Sequence, residues 1–152
     1  MEFESLKKLQ LLDPILRKDA IEAYNKAVAD TPVGVHPIIT STLRTFQEQA
    51  ALYAQGRTTP GPIVTNAKPG QSLHNYGLAV DFALQIGGKL VWEVDENWMI
   101  VVNCFKEKGF DWGGSWKTFK DFPHLQKTFG YNWKDLLVMH DKNPDSTYIE
   151  FT

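Results

Sequence analysis

Apolar residues at Leu16, Ala20, Ile21, Tyr24, Ala27 and Val28 recur at three- and four-residue intervals, the period of a helix with one buried side. That helix begins at Asp13-Pro14, an N-cap followed by proline in the first turn, and runs to residue 29. A shorter helix is predicted before it, over residues 5–12. Thr31-Pro32-Val33-Gly34 stops the long helix, and the β-branched stretch 35–41 reads as a strand. Thr45 with Glu48 forms a capping box that starts a helix ending near Gln55, closed by Gly56. Residues 57–71 hold Pro60, Gly61, Pro62, Pro69 and Gly70 and read as a long loop, usually functional or mobile in a compact domain.

Beyond the loop the period shortens to two. Leu78, Val80, Phe82 and Leu84 make one face of a strand, and Ala79, Asp81 and Ala83 make the other. Gly87-Gly88 turns the chain, and residues 89–94 return as a hairpin partner. Asp95 or Asn97 then caps a helix that buries Trp98, Val101, Val102 and Phe105 and ends at Gly109. In Asp121-Phe122-Pro123-His124 the proline holds Phe122 extended, so this is a loop entering a strand. The remainder predicts an amphipathic piece at 133–139, a turn at Asn143-Pro144-Asp145 and a strand at 148–151.

Composition narrows the function. A chain of 152 residues fits a single domain with a proper core, and 43% hydrophobic with 22% charged residues is ordinary for a globular protein. A net charge of −2 without a basic run gives no electrostatic case for nucleic acid. The single cysteine, Cys104, excludes an internal disulfide and any four-ligand zinc site needing two cysteines; on its helix it reads as an inert buried thiol. No apolar run approaches a membrane span, and residues 1–12 lack a basic start and long apolar centre, so the chain reads as made without its own export signal.

The chemistry gathers around Asp81. A carboxylate among alanines in a central strand is costly to bury unless it is paired or bound to a cation, so it has either a salt-bridge partner elsewhere or a metal. His74 lies too far along the chain to share one ion with Asp81 on a helix, but from the turn at 75–77 it can fold back over the strand. His74, Asp81 and His124 then supply two nitrogens and a carboxylate, the three-ligand set of a catalytic zinc site with a position open for water. Asp121 can stand beside that water as general base. His36 has no carboxylate or second imidazole near it and reads as structural, while His140 reads as surface or packing. Arg44, at a strand-to-helix junction, is either a solvated charge or a guanidinium aimed into a cleft. Trp112 and Trp116, flanking Gly113-Gly114, are either core or the wall of a groove.

These residues also carry a family resemblance. Ser72-x-His74-x-x-Gly77-x-Ala79-x-Asp81, then Trp112-Gly113-Gly114-x-Trp116 and Asp121-x-Pro123-His124, resemble the zinc D-Ala-D-Ala carboxypeptidase and L-alanyl-D-glutamate peptidase family over residues 12–127. Arg44-x-Phe46-x-Glu48-Gln49, Tyr53-x-Gln55-Gly56-Arg57 and His74-Asn75-Tyr76-Gly77 are most similar to the branch that cuts between L-Ala and D-Glu, found in phage endolysins and bacterial wall hydrolases. The resemblance implies one zinc ion on His74, Asp81 and His124, Asp121 as catalytic base, and Arg44 on the substrate or developing oxyanion. Ser72, Gln49, Trp112 and Trp116 are the accompanying candidates for substrate contact. Thr42 and Leu43 depart from the branch, which often has a glycine and an aromatic there.

The expected fold is α+β, like the hedgehog domain: a small, mainly antiparallel sheet carries the ligands, and helices pack on its other side. Residues 128–152, outside the matched region, are expected to pack on the catalytic domain. The expected activity is that of a monomeric zinc metallopeptidase acting on peptidoglycan stem peptides in the bacterial cell wall. The alternatives are a D-Ala-D-Ala carboxypeptidase or dipeptidase on the same scaffold, a zinc-containing wall-binding module without turnover, and a glycosidase using Asp81 and Asp121 as its acid–base pair.

Overall fold

The structure, a computed structural model, describes residues 2–151. In chain order its helices are α1 (Glu2–Leu9), α2 (Pro14–Asp30), α3 (Phe46–Ala54), α4 (Glu96–Glu107) and α5 (Trp133–Asp141). The strands are β1 (Val35–Ser41), β2 (Ala79–Ile86), β3 (Lys89–Val91), β4 (Asp111–Trp112) and β5 (His124–Gln126). The architecture is α+β with an antiparallel five-stranded sheet, as the sequence predicts.

Strand β2 is the centre of the sheet. It pairs with β1 along one edge, while β5 and β3 share the other edge, β5 against Ala79–Asp81 and β3 against Leu84–Ile86. Val80, Phe82 and Leu84 point into the core and are fully buried with Leu16, Ala20 and Tyr24 of α2 and Trp98, Val101 and Phe105 of α4. Each of the valine, leucine and phenylalanine side chains among them contributes roughly 1.5–3 kcal/mol on leaving water. The Phe82 and Trp98 rings lie 4.3 Å apart, and the Tyr24 hydroxyl donates to the Pro37 carbonyl at 2.9 Å, which ties α2 to β1. Helix α1 covers the outer edge of β1, where the Ile39 N–H donates to Ser5 Oγ at 3.0 Å.

Several boundaries differ from the sequence expectation. Strand β3 stops at Val91, not residue 94, because β5 already occupies the edge of β2 that a longer return would need. Helix α1 spans Glu2–Leu9, with Glu2 and Glu4 in its first turn and Lys7 and Lys8 in its last, an arrangement that suits the helix dipole. The strand expected at 148–151 does not form. That segment packs on the α1–α2 junction and on Tyr131 instead: the Tyr148 hydroxyl donates to the Leu11 carbonyl at 2.7 Å, and Phe151 lies 5.6 Å from the Tyr131 ring. Among the described residues no helix is long and apolar enough to cross a membrane.

Candidate active site

The face of β2 opposite the core carries Asp81. Across β2 from it stand His124 of β5 on one side and Ser41 of β1 on the other. A register shift between Ile39 and Ser41 breaks the alternation of β1, so Ser41 comes opposite Asp81 and the chain leaves toward Thr42 and Arg44. His74 arrives from a single 3₁₀ turn, Leu73–Tyr76. Ser72 caps that turn, its Oγ accepting the His74 N–H at 3.2 Å. Gly77 closes the turn at a φ of 68°, where a Cβ would also lie 2.7 Å from the Asp13 nitrogen, so both conformation and space demand glycine.

Asn75 joins the surrounding segments. Its Oδ1 accepts the Gly70 N–H at 3.0 Å, and its Nδ2 donates to the Arg44 carbonyl at 3.0 Å. The Arg44 N–H donates in turn to the His74 carbonyl at 2.9 Å.

The three candidate ligands converge as the sequence spacing predicts. His74 Nε2 lies 3.2 Å from Asp81 Oδ2, and His124 Nδ1 lies 3.2 Å from Asp81 Oδ1. One ligand atom from each residue falls within 4.8 Å of the others. The outward nitrogens are engaged elsewhere: His74 Nδ1 is 2.7 Å from the Thr42 carbonyl, and His124 Nε2 is 2.8 Å from Gln126 Oε1. With a proton on each outward nitrogen, both rings are neutral and turn a lone pair toward Asp81.

His74 Nε2 is buried with no hydrogen-bond partner among the described residues, since its approach to Asp81 lacks hydrogen-bonding alignment. Two lone pairs facing a carboxylate repel unless a cation or a proton sits between them, so this donor set fits a metal ion. Without the ion, protons fill that role. Burial opposes charge on Asp81, yet the hydrogen bond from His124 and the charge of both imidazoles hold its carboxyl well below the usual range. Burial likewise opposes charge on His124, and Asp81 overcomes it, raising the imidazole above its ordinary value. No lysine or arginine among the described residues forms an ion pair with Asp81; its partners are the two imidazoles.

Asp121 stands at the rim, its Oδ2 3.9 Å from His124 Nδ1 and half its side chain exposed. Burial pushes its carboxyl above the ordinary value, and the Asp81 charge adds to this while His124 opposes it. The loop carrying it is firmly held: Asp121 N–H donates to the Gly113 carbonyl at 3.1 Å and Phe82 N–H to the Pro123 carbonyl at 3.1 Å. The Phe122 carbonyl accepts two indole N–H groups, from Trp112 at 2.7 Å and Trp98 at 3.3 Å.

The remaining candidates divide between rim and support. Trp116 lies at the rim, its ring 5.5 Å from that of His124. Trp112 buttresses the 121–124 loop, its ring over Gly114, where a Cβ would collide with it. Gln49 is fully buried; its Oε1 accepts from Arg44 Nη1 at 3.0 Å and its Nε2 donates to the Ala67 carbonyl at 2.9 Å. Its amide therefore fixes the guanidinium and fastens the 57–71 loop. His36 is exposed on β1, and His140 packs with its ring 4.5 Å from Phe46.

Sequence reasoning missed the Thr42 carbonyl and Gln126. The first is a backbone acceptor and carries no residue signature. The second was detectable, because a side chain two residues past His124 on a strand shares its face.

The pattern of the D-alanyl-D-alanine carboxypeptidase family matches residues 65–127. The peptidoglycan L-alanyl-D-glutamate endopeptidase CwlK of Bacillus subtilis (strain 168) is 46% identical over 124 residues, 76% of this chain and 72% of that protein. The chain belongs to the D-alanyl-D-alanine carboxypeptidase and L-alanyl-D-glutamate peptidase family. A second relative, the L-alanyl-D-glutamate peptidase of Listeria phage A118, is 33% identical over 104 residues, 66% of this chain and 32% of its own length, so the chain spans about a third of that phage protein. In three dimensions the family fold is shared with the Serratia marcescens L-Ala D-Glu endopeptidase ChiX, with a TM-score of 0.57 and 25% identity over 82% of this chain and 86% of that one.

Proposed function

We propose that this protein is a zinc metallopeptidase that hydrolyses peptidoglycan stem peptides at the bond between L-Ala and D-Glu. The observation that carries this reading is the convergence of His74, Asp81 and His124 with a further carboxylate, Asp121, 3.9 Å from His124 Nδ1 and outside the donor set. A purely structural metal site has no use for such a group. The L-Ala–D-Glu peptidase activity for which the Bacillus, phage and Serratia proteins are named supports the choice of bond.

His74, Asp81 and His124 would hold one zinc ion per chain and leave a position open. Bound there, the ion supplies Lewis acidity that lowers the pKa of water and polarises a peptide carbonyl. Asp121 takes the proton of the attacking water and returns it to the D-Glu amine as the bond breaks; the elevated pKa of its carboxyl suits both transfers. Arg44, held by Gln49, donates to the carbonyl oxygen as negative charge develops on it. Trp116 walls the site beside His124. All of these residues come from one chain, which would act as a monomer on the cell wall.

The decisive experiment is mass spectrometry of purified peptidoglycan digested by the zinc-loaded protein, with a chelated control. New peptides beginning with D-Glu that vanish on chelation are the expected result. Metal-dependent release of terminal D-Ala alone would move the activity to the carboxypeptidase branch, and no metal-dependent product from several wall types would overturn the enzymatic reading.

A further inference from the structure

We propose that Gln126 is a positioning residue for His124: it holds the imidazole in the tautomer that presents Nδ1 to the metal, and so sets the metal affinity of the site. The inference rests on the reading of His74, Asp81 and His124 as the donor set. The two imidazoles use opposite nitrogens, Nε2 of His74 and Nδ1 of His124, so each needs an acceptor on a different side of its ring. His74 has the backbone carbonyl of Thr42 at 2.7 Å. Among the described residues His124 has no carbonyl in that position, and its Nε2–H donates to the side-chain amide oxygen of Gln126, at 2.8 Å.

Gln126 reaches the ring because residues two apart on β5 share a face. An acceptor on the far N–H fixes both the ring's orientation and which nitrogen keeps its lone pair, and it raises the basicity of that lone pair. Without the amide, the Nε2–H loses its partner, the ring is free to rotate, and a proton on Nδ1 competes with the metal.

The neutrality of the acceptor also has a structural reason. Asp111 of β4 stands directly across from Gln126, and a glutamate at 126 would set two carboxylates opposite each other. The amide accepts the hydrogen bond without that repulsion. Gln126→Glu in an Asp111→Asn background removes the repulsion and leaves a stronger acceptor.

Zinc affinity, measured by competition with a chromophoric chelator, tests this for wild type, Gln126→Met, Asp111→Asn and Asp111→Asn/Gln126→Glu. Gln126→Met is expected to bind zinc about 10- to 100-fold more weakly. The double variant is expected to bind several-fold more tightly than Asp111→Asn alone. In proton NMR of the zinc-loaded wild type, the His124 Nε2–H should be protected from exchange, and this resonance should be lost in Gln126→Met. Gln126→Met binding within threefold of wild type with the resonance intact would overturn the proposal. If Gln126→Met does not fold, the near-isosteric double variant decides: binding no tighter than that of Asp111→Asn overturns it. A wild type that takes up no divalent ion would instead overturn the metal reading itself, so the two failures are distinguishable.

Discussion

Asp81 and Asp121 are the same residue type within one site, and their surroundings separate them. Asp81 faces two imidazoles and is held ionised, whereas Asp121 stands at the rim with an elevated pKa. Asp121→Asn should therefore keep its zinc by elemental analysis and lose turnover by about 10²- to 10⁴-fold. His124→Ala should lose both metal and turnover. Gln49→Met removes the acceptor that holds Arg44 and leaves the Ala67 carbonyl without its donor, at about 1–3 kcal/mol. Its kcat/KM should fall at unchanged zinc content. The clustering of His74, Asp81 and His124 was legible because a buried carboxylate among alanines needs a partner, which left a salt bridge or a metal, and a turn at 75–77 could bring His74 back over the strand. The roles of Gln49 and Arg44 were not, because which of them holds the other depends on a contact between helix α3 and the chain before it.

At the level of elements, alternation marked β2 and both its faces, since a half-buried strand writes its period directly into the sequence. The same reasoning failed at 148–151, where apolar residues pack on the α1–α2 junction and on Tyr131 without joining a ladder. Local pattern records that a side chain is buried but not what covers it. The capping box was legible from two residues and is present: Thr45 Oγ1 accepts the Glu48 N–H at 3.0 Å and Glu48 Oε1 accepts the Thr45 N–H at 3.0 Å. Thr45→Ala should lower stability by about 1 kcal/mol in a denaturant titration. Gly113 carries a different constraint, because a Cβ there would collide with the Asp121 carbonyl oxygen. Gly113→Ala should displace the 121–124 loop, costing about 1–3 kcal/mol and most of the activity; retained activity would show that Asp121 tolerates movement.

For the molecule as a whole, Tyr76 joins the turn that carries His74 to the chain beyond the sheet. Its hydroxyl donates to the Gly70 carbonyl at 2.6 Å, and its ring meets Phe46 of α3 at 5.9 Å and His140 of α5 at 6.4 Å. Burial, aided by the charge of Asp141, raises its pKa from 10.0 to about 12. The folded state thus holds this proton more tightly than the unfolded state does. The contribution of Tyr76 to stability should be constant below pH 10 and be lost as pH rises from 10 toward about 12. Melting curves across that window should show the decline in wild type and a shallower one in Tyr76→Phe.

The Thr42 carbonyl has a consequence for how this chain can vary. A main-chain oxygen survives every point substitution at its own position, so the unusual threonine and leucine at 42 and 43 leave the acceptor for His74 in place. The side chain at 42 is then available for another task, and Thr42 Oγ1 donates to the Lys8 carbonyl at 2.6 Å, anchoring α1. One half of the donor set is in this sense insulated from genetic drift, while the half that leans on Gln126 is exposed to it at a single codon.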